Sequence, residues 1–205
     1  NTQGRAVSEI SDSFQVKLNS LVETGSPDDK PSNMNQALNS ALDKIEEAQA
    51  RGGSITGLST GFADLDKLTS GLQPADMIVL AGRPSMGKTS LGMNIADHVA
   101  QTSGKHVMVF SLEMPEDQLT RRLLASNGMV NMTKINNANL DDDDWGRLSM
   151  ATSKLMESKM LIDDAGGLTP SELRSRAKRA HKENELGLII IDYLGLMRVP
   201  QLAGN

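Results

Sequence analysis

The run Gly82 to Thr89 reads G-R-P-S-M-G-K-T, follows the apolar stretch Met77 to Ala81 (MIVLA) and leads into a helical pattern. Two glycines, a lysine and a threonine at this spacing match the phosphate-binding loop G-x-x-x-x-G-K-[ST]. The mechanism constrains the fold as well as the chemistry. Such a loop works where a strand ends and a helix begins, so that backbone N–H groups and the positive end of the helix dipole converge on phosphate oxygens. Gly82 and Gly87 permit the close backbone approach. Around them, Pro84, Ser85, Met86 and Ser90 complete the expected cradle, Lys88 is expected to reach the β- and γ-phosphates, and the Thr89 hydroxyl to ligate magnesium.

The surrounding pattern agrees with that demand. Short apolar runs, Met77 to Ala81, Val107 to Ser111, Met160 to Asp163 and Leu188 to Asp192, alternate with helical stretches over Lys88 to Gln101, Pro115 to Asn127, Asp142 to Glu157 and Pro170 to Asn184. Near-continuous apolar strands separated by helices predict an α/β fold with a mostly parallel sheet covered on both faces. With aromatics at 2% and 12 methionines, methionine is expected to fill core space that rings would otherwise occupy.

Two helix starts are legible. Thr169, Pro170 and Glu172 form a capping-box pattern, and the acidic run Asp141 to Asp144 sits where a helix dipole favours negative charge. That run lacks the glycine-punctuated spacing of a calcium loop, so a solvated helix start is the better reading. The helix over Pro170 to Asn184 carries Arg174, Arg176, Lys178, Arg179 and Lys182. It is read as a solvated or interface face, with direct phosphate contact as the alternative.

Upstream, residues 1–25 carry a weak helical pattern ending in a Gly, Pro, Ser and Asp cluster, and residues 26–53 hold an amphipathic helix with Met34, Leu38, Ala41, Ile45 and Ala48 on one stripe, Ser32 as its N-cap and Gly52 and Gly53 as its stop. The stripe packs on its own domain or docks on a neighbouring subunit. Residues 54–205 form the main domain. The net charge of -5 excludes a chain-wide basic surface of the kind that drives non-specific nucleic-acid binding. No apolar run approaches the length of a membrane span, the absence of cysteine excludes thiolate metal sites, and a cytoplasmic protein without membrane contact is expected. The chain lacks an initiator methionine and stops soon after a strongly apolar strand, as a piece of a longer protein would.

A phosphate loop needs a second acid for its metal, and Asp192, closing Leu188 to Asp192, supplies one at the same carboxyl edge of a parallel sheet. Hydrolysis also needs a group to orient or deprotonate water. Glu113, after the strand Val107 to Ser111, is the candidate; Asp163 and Asp164 end another strand and compete for the role, and Glu113 could instead merely start a helix.

Four segments carry a resemblance: GLSTGFADLDKLTSGLQPADMIVLAGRPSMGKTSL, FSLEMPEDQLTRRLLAS, DDAGGLTPSELRSRAKR and IIIDYLGLMRVP. Together, over about Thr56 to Pro200, they resemble the C-terminal RecA-like motor domain of the bacterial replicative DNA helicase family, DnaB; SLEMP and IDYL-x-LM separate this group from recombinases and other RecA-like ATPases. The resemblance implies a homohexameric ring that hydrolyses ATP with Mg2+ and moves 5′ to 3′ on single-stranded DNA, with primase and a helicase loader as partners. By position it implies phosphate and metal binding by Lys88 and Thr89, the metal acid at Asp192, the catalytic base at Glu113 and a nucleotide- or interface-facing arginine at Arg122. It also implies that the stripe from Met34 to Ala48 belongs to a linker helix that docks on an adjacent motor domain. Gly195 stands where the family usually has glutamine. Two other classes remain beside it: a truncated module that binds a helicase ring or loader without turnover, and a small-molecule kinase, for which no lid or acceptor pocket is visible.

Overall fold

The computed structural model describes residues 33–50, 55–83 and 85–198. The chain divides into two compact units, Asn1–Gly53 and Ser54–Asn205. In the first, helix α1 (Met34–Ala50) begins with Asn33 Oδ1 accepting from the Gln36 N–H at 2.9 Å while Gln36 Oε1 accepts from the Asn33 N–H at 3.1 Å. This reciprocal pair satisfies two amides at the helix start. The expected cap, Ser32, the boundary near residue 25 and the stop at Gly52 and Gly53 lie outside the described residues. Met34, Leu38, Leu42 and Ile45 on the apolar stripe are all more than half exposed.

The second unit is an α/β domain of α2 (Ala63–Thr69), α3 (Lys88–Thr102), β1 (His106–Ser111), α4 (Glu116–Gly128), α5 (Met132–Asn136), α6 (Asp142–Met156), β2 (Met160–Asp163), α7 (Pro170–Glu183), β3 (Leu186–Asp192) and a 3-10 turn at Leu194–Leu196. The strands pair in parallel in the order β2-β1-β3. Alternation along β1 sends its side chains to two cores. Val107 and Val109 pack with Met93, Ala96, Val99 and Ala100 of α3 and Leu119 and Leu123 of α4. Met108 and Phe110 pack with Leu168 and with Leu173 and Ala177 of α7 on the opposite face. Each fully buried Val or Phe contributes about 1.5–3 kcal/mol by leaving water, so β1 is the spine that holds the carboxyl edge in place.

One expectation is corrected. Met77 to Ala81 forms no strand among the described residues: Met77 is 78% and Leu80 48% exposed, and the segment is irregular. A strand exists only when paired, and the run makes no ladder with any strand among the described residues. The methionine expectation holds in part: Met93 and Met108 are buried and Met114, Met160 and Met197 pack against the two cores, whereas Met34, Met77, Met86, Met129, Met150 and Met156 are exposed. Leu, Val and Ala supply most of the other buried positions.

The helix starts read from the sequence form as expected. Thr169 Oγ1 accepts from the Glu172 N–H and Glu172 Oε2 accepts from the Thr169 N–H, and these bonds hold the Glu172 carboxyl below its ordinary value. Asp141 and Asp144 make the same reciprocal box at the start of α6. Asp144 is buried and also accepts from Lys134 at 2.5 Å and Arg147 at 2.6 Å. Asp141 and Asp144 thus cap α6, and Asp142 and Asp143 lie in its first turn.

Segment 55–72 is tied to α3 by a network the sequence does not announce. Asp66, buried at 2% exposure, accepts from Ser59 Oγ at 2.7 Å and from both the N–H and Oγ1 of Thr60 at 2.8 and 2.7 Å. Burial pushes the Asp66 carboxyl up, but the Ser59 and Thr60 bonds outweigh it and leave it below its usual range. Since Ser59 directs its only proton to Asp66, its 3.2 Å contact with His98 Nε2 is donated by the histidine. The network anchors the entry to the helix that starts at the phosphate loop.

Candidate active site

The loop closes through its backbone. Ser85 has φ 64 and Gly87 φ 82, both left-handed, and Gly87 is the N-cap of α3. The left-handed conformation costs a Cβ-bearing residue about 1–2 kcal/mol, so Ser85 is locally strained while Gly87 is not. Met86, 73% exposed, turns back with its N–H donating to Arg83 O at 3.3 Å. Pro84 lies outside the described residues, and Ser90 is exposed in the first turn of α3. Gly87 offers no side chain to the α3 N-terminus, and among the described residues no side-chain acceptor caps its first N–H groups.

Lys88 Nζ donates to Gly82 O at 3.0 Å, bridging the first residue of the motif and the first residue of the helix. The ammonium is thereby tied to the loop backbone. On the opposite side, Thr89 Oγ1 donates to Asp192 Oδ2 at 2.7 Å. These two oxygens come from positions more than a hundred residues apart in the chain, and both are hard donors of the kind magnesium takes. Their adjacency follows from the topology: α3 packs on β1 and β3, and Asp192 ends β3 at the carboxyl edge.

Glu113 lies just past the end of β1. In register, Ser111 pairs with Asp192, and the Leu112 N–H donates to Asp192 O at 2.8 Å. The turn bearing Glu113 is therefore hydrogen-bonded to Asp192, whose side chain accepts from Thr89. Glu113 itself is exposed and makes no side-chain hydrogen bond among the described residues.

Its competitors are committed elsewhere. Both carboxylate oxygens of Asp163 accept from Arg176 Nη1, at 2.9 and 2.7 Å, and Oδ1 also accepts from the Ala165 N–H at 3.1 Å. Asp164 Oδ2 accepts from the Glu116 N–H at 3.0 Å, serving the start of α4, whose own N-cap, Pro115, has no side-chain donor or acceptor to offer. Glu113 is also not within α4, which starts at Glu116. Arg122 is exposed on α4 and makes no ion pair among the described residues, so no contact brings it to the loop. Arg176 is removed from the set of free cations on α7 by Asp163, leaving Arg174, Lys178, Arg179 and Lys182 exposed.

Gly195 has a local consequence. A Cβ built there would meet the Tyr193 ring at 2.8 Å, so the ring lies over the space that a side chain at this position would take. Sequence reasoning also missed Ser111, whose Oγ donates to Met114 O at 2.6 Å inside the Glu113 turn. Only the register of β1 against β3 exposes its place.

Comparison with known proteins gives one consistent result. The family model of the DnaB-like helicase C terminal domain matches residues 57–205. The chain is 44% identical over its full length to the replicative DNA helicase DnaB of Buchnera aphidicola subsp. Schizaphis graminum, covering 45% of that protein. It is 46% identical over its full length to the replicative DNA helicase DnaB of Pasteurella multocida, again covering 45%. Among solved structures, an ATPase domain superposes with a TM-score of 0.78 at 30% identity, covering 86% of this chain and 62% of that one. A DnaB-like replicative helicase described with its primase interactions superposes with a TM-score of 0.73 at 30% identity, covering 93% of this chain and 45% of that one. The chain thus spans about half the length of the curated relatives it matches.

Proposed function

The chain belongs to the DnaB-like helicase C-terminal domain family, with an α/β RecA-like core, and from that premise we propose that it is the ATP-hydrolysing part of a replicative DNA helicase. The observation that carries the reading is the 2.7 Å bond between Thr89 and Asp192, which joins the loop hydroxyl and the strand-end acid at one point. Their oxygens suit magnesium, which when bound would neutralise charge on the β- and γ-phosphates.

The remaining work falls to the chain's own groups. Backbone N–H groups from Ser85 to Thr89 and the start of α3 receive phosphate oxygens. Lys88 exchanges the Gly82 carbonyl for phosphate oxygens, a short move because the ammonium is already tied to the loop backbone. Glu113, with its acceptor capacity open, orients or deprotonates the attacking water. Phosphoryl transfer asks the protein mainly for placement and charge stabilisation. That suits a site whose base and metal acid hang from two paired strands.

The reading extends to assembly and track: a homohexameric ring moving 5′ to 3′ on single-stranded DNA, with primase and a loader as partners. Support for it comes from the relatives' names and from the exposed apolar stripe of α1, which suits a linker helix seated on a neighbouring subunit. The test is Asp192→Asn in the full-length protein. ATP hydrolysis and duplex unwinding at saturating magnesium are expected to be lost, and wild-type turnover would overturn the assignment.

A further inference from the structure

We propose that Ser111 is a positioning residue for Glu113, its buried hydroxyl holding the turn that presents the base; this rests on Glu113 being the base as read above. Ser111 is the last residue of β1, 1% exposed, and opposite Asp192 in the sheet register. Its Oγ donates to Met114 O at 2.6 Å and so closes Ser111, Leu112, Glu113 and Met114 into a ring of backbone with Glu113 at the third position. One residue on, the Leu112 N–H donates to Asp192 O at 2.8 Å. At the far end the Glu116 N–H is held by Asp164.

Glu113 has no hydrogen bond of its own among the described residues to place it. Its carboxylate is therefore aimed by the backbone beneath it, and that backbone is fixed by three bonds. Two of them, from Leu112 and Glu116, use main-chain amides and survive any side-chain change at 111. The third is the Ser111 hydroxyl, and it spans Glu113 itself. A serine hydroxyl has a single proton, and here it is given to the Met114 carbonyl. Ser111 is thus not a nucleophile and does not touch substrate; it acts through the geometry of the next turn. Misplacing a catalytic group by about 1 Å can cost on the order of 100-fold in rate, so one hydroxyl in this place has leverage out of proportion to its size.

The experiment is a double-mutant cycle in the full-length protein with Ser111→Ala, Glu113→Gln and the pair, reading kcat for ATP hydrolysis and affinity for a fluorescent ATP analogue. Ser111→Ala is expected to lower kcat by roughly 10- to 100-fold while leaving nucleotide affinity within about twofold, since the cradle is untouched. Adding Ser111→Ala to Glu113→Gln is expected to cost nothing further, because residues that act as a unit are non-additive. Ser111→Thr, which keeps the hydroxyl, is expected to recover kcat. Losses that multiply in the pair, or a Ser111→Ala enzyme with wild-type kcat, would overturn the role of Ser111 while leaving Glu113 in place. Wild-type kcat in Glu113→Gln alone would instead remove the base reading and this inference with it.

Discussion

Four acids around α5, α6 and the end of β2 differ from two at the phosphate loop in how their oxygens are occupied. Around α5, α6 and the β2 end, Asp141, Asp144, Asp163 and Asp164 each accept from backbone amides or cations, and Asp144 and Asp163 do both or accept from more than one donor. At the phosphate loop, Asp192 accepts one side-chain bond, from Thr89, and Glu113 accepts none among the described residues. A carboxylate whose acceptors are filled is part of the scaffold, because its oxygens cannot be reassigned without leaving a donor unpaired. One with spare acceptors can take a metal or a water. Proximity to a strand end did not separate these acids, since Asp163, Asp164 and Glu113 all sit at one; Asp163 accepts from Arg176 and the Ala165 N–H, Asp164 from the Glu116 N–H, and Glu113 from nothing among the described residues.

The sharpest way to break this contrast is Glu113→Gln. The amide keeps shape but loses the basic oxygen, and positioned general bases contribute about 10²–10⁴-fold. Turnover in the full-length protein is expected to fall within that range with nucleotide binding retained, as measured by steady-state hydrolysis beside equilibrium binding. A collapse of nucleotide affinity would make Glu113 structural and erase the difference between the two regions.

Much of this was legible before the fold. The parallel sheet and the placing of Asp192 at its carboxyl edge follow from strand-helix alternation, whereas Thr89 reaches Asp192 through the packing of α3 on β3 and not through a strand ahead of the loop. Thr169 with Glu172 and the acidic start of α6 were legible because caps are local chemistry. What was not legible depends on pairing at a distance. Met77 to Ala81 has the composition of a strand, but its pairing partner cannot be read from its own residues, and among the described residues it has none. Arg176 looks like any other cation on α7 until Asp163 is brought beneath it. Ser111 reads as an ordinary strand end, and its bond to Met114 emerges only when the turn closes.

The same sorting of filled and unfilled groups can be tried on cations. Arg179 and Lys182 are exposed on α7 with no ion pair among the described residues, whereas Arg176 is filled by Asp163. Arg179→Ala with Lys182→Ala is expected to leave DNA-independent ATP hydrolysis unchanged, as neither residue is in the loop. The slope of log affinity for single-stranded DNA against log salt then assigns the face. A slope shallower by about 0.7 for each phosphate no longer neutralised marks it as a DNA-binding face; an unchanged slope marks it as a solvated surface.

The smallest effect tests the scaffold side. The hydrogen bond from Lys134, opposed by burial and reinforced by the Asp141 box and Arg147, holds the Asp144 carboxyl at about 2, below its ordinary 3.8. Because the folded value is depressed, Asp144 stabilises the domain while it is ionised in both states, and that contribution is lost as pH falls from about 3.8 toward about 2. Asp144→Asn removes the charge that Lys134 and Arg147 grip, so the melting temperature at pH 7 is expected to drop by a few degrees. Its decline between about pH 4 and about pH 2 is expected to be shallower than that of the wild type, followed by thermal unfolding across that range. Equal declines would mean that Asp144 is not filled in the sense that separates it from Glu113, and the contrast between the two regions would rest on position alone.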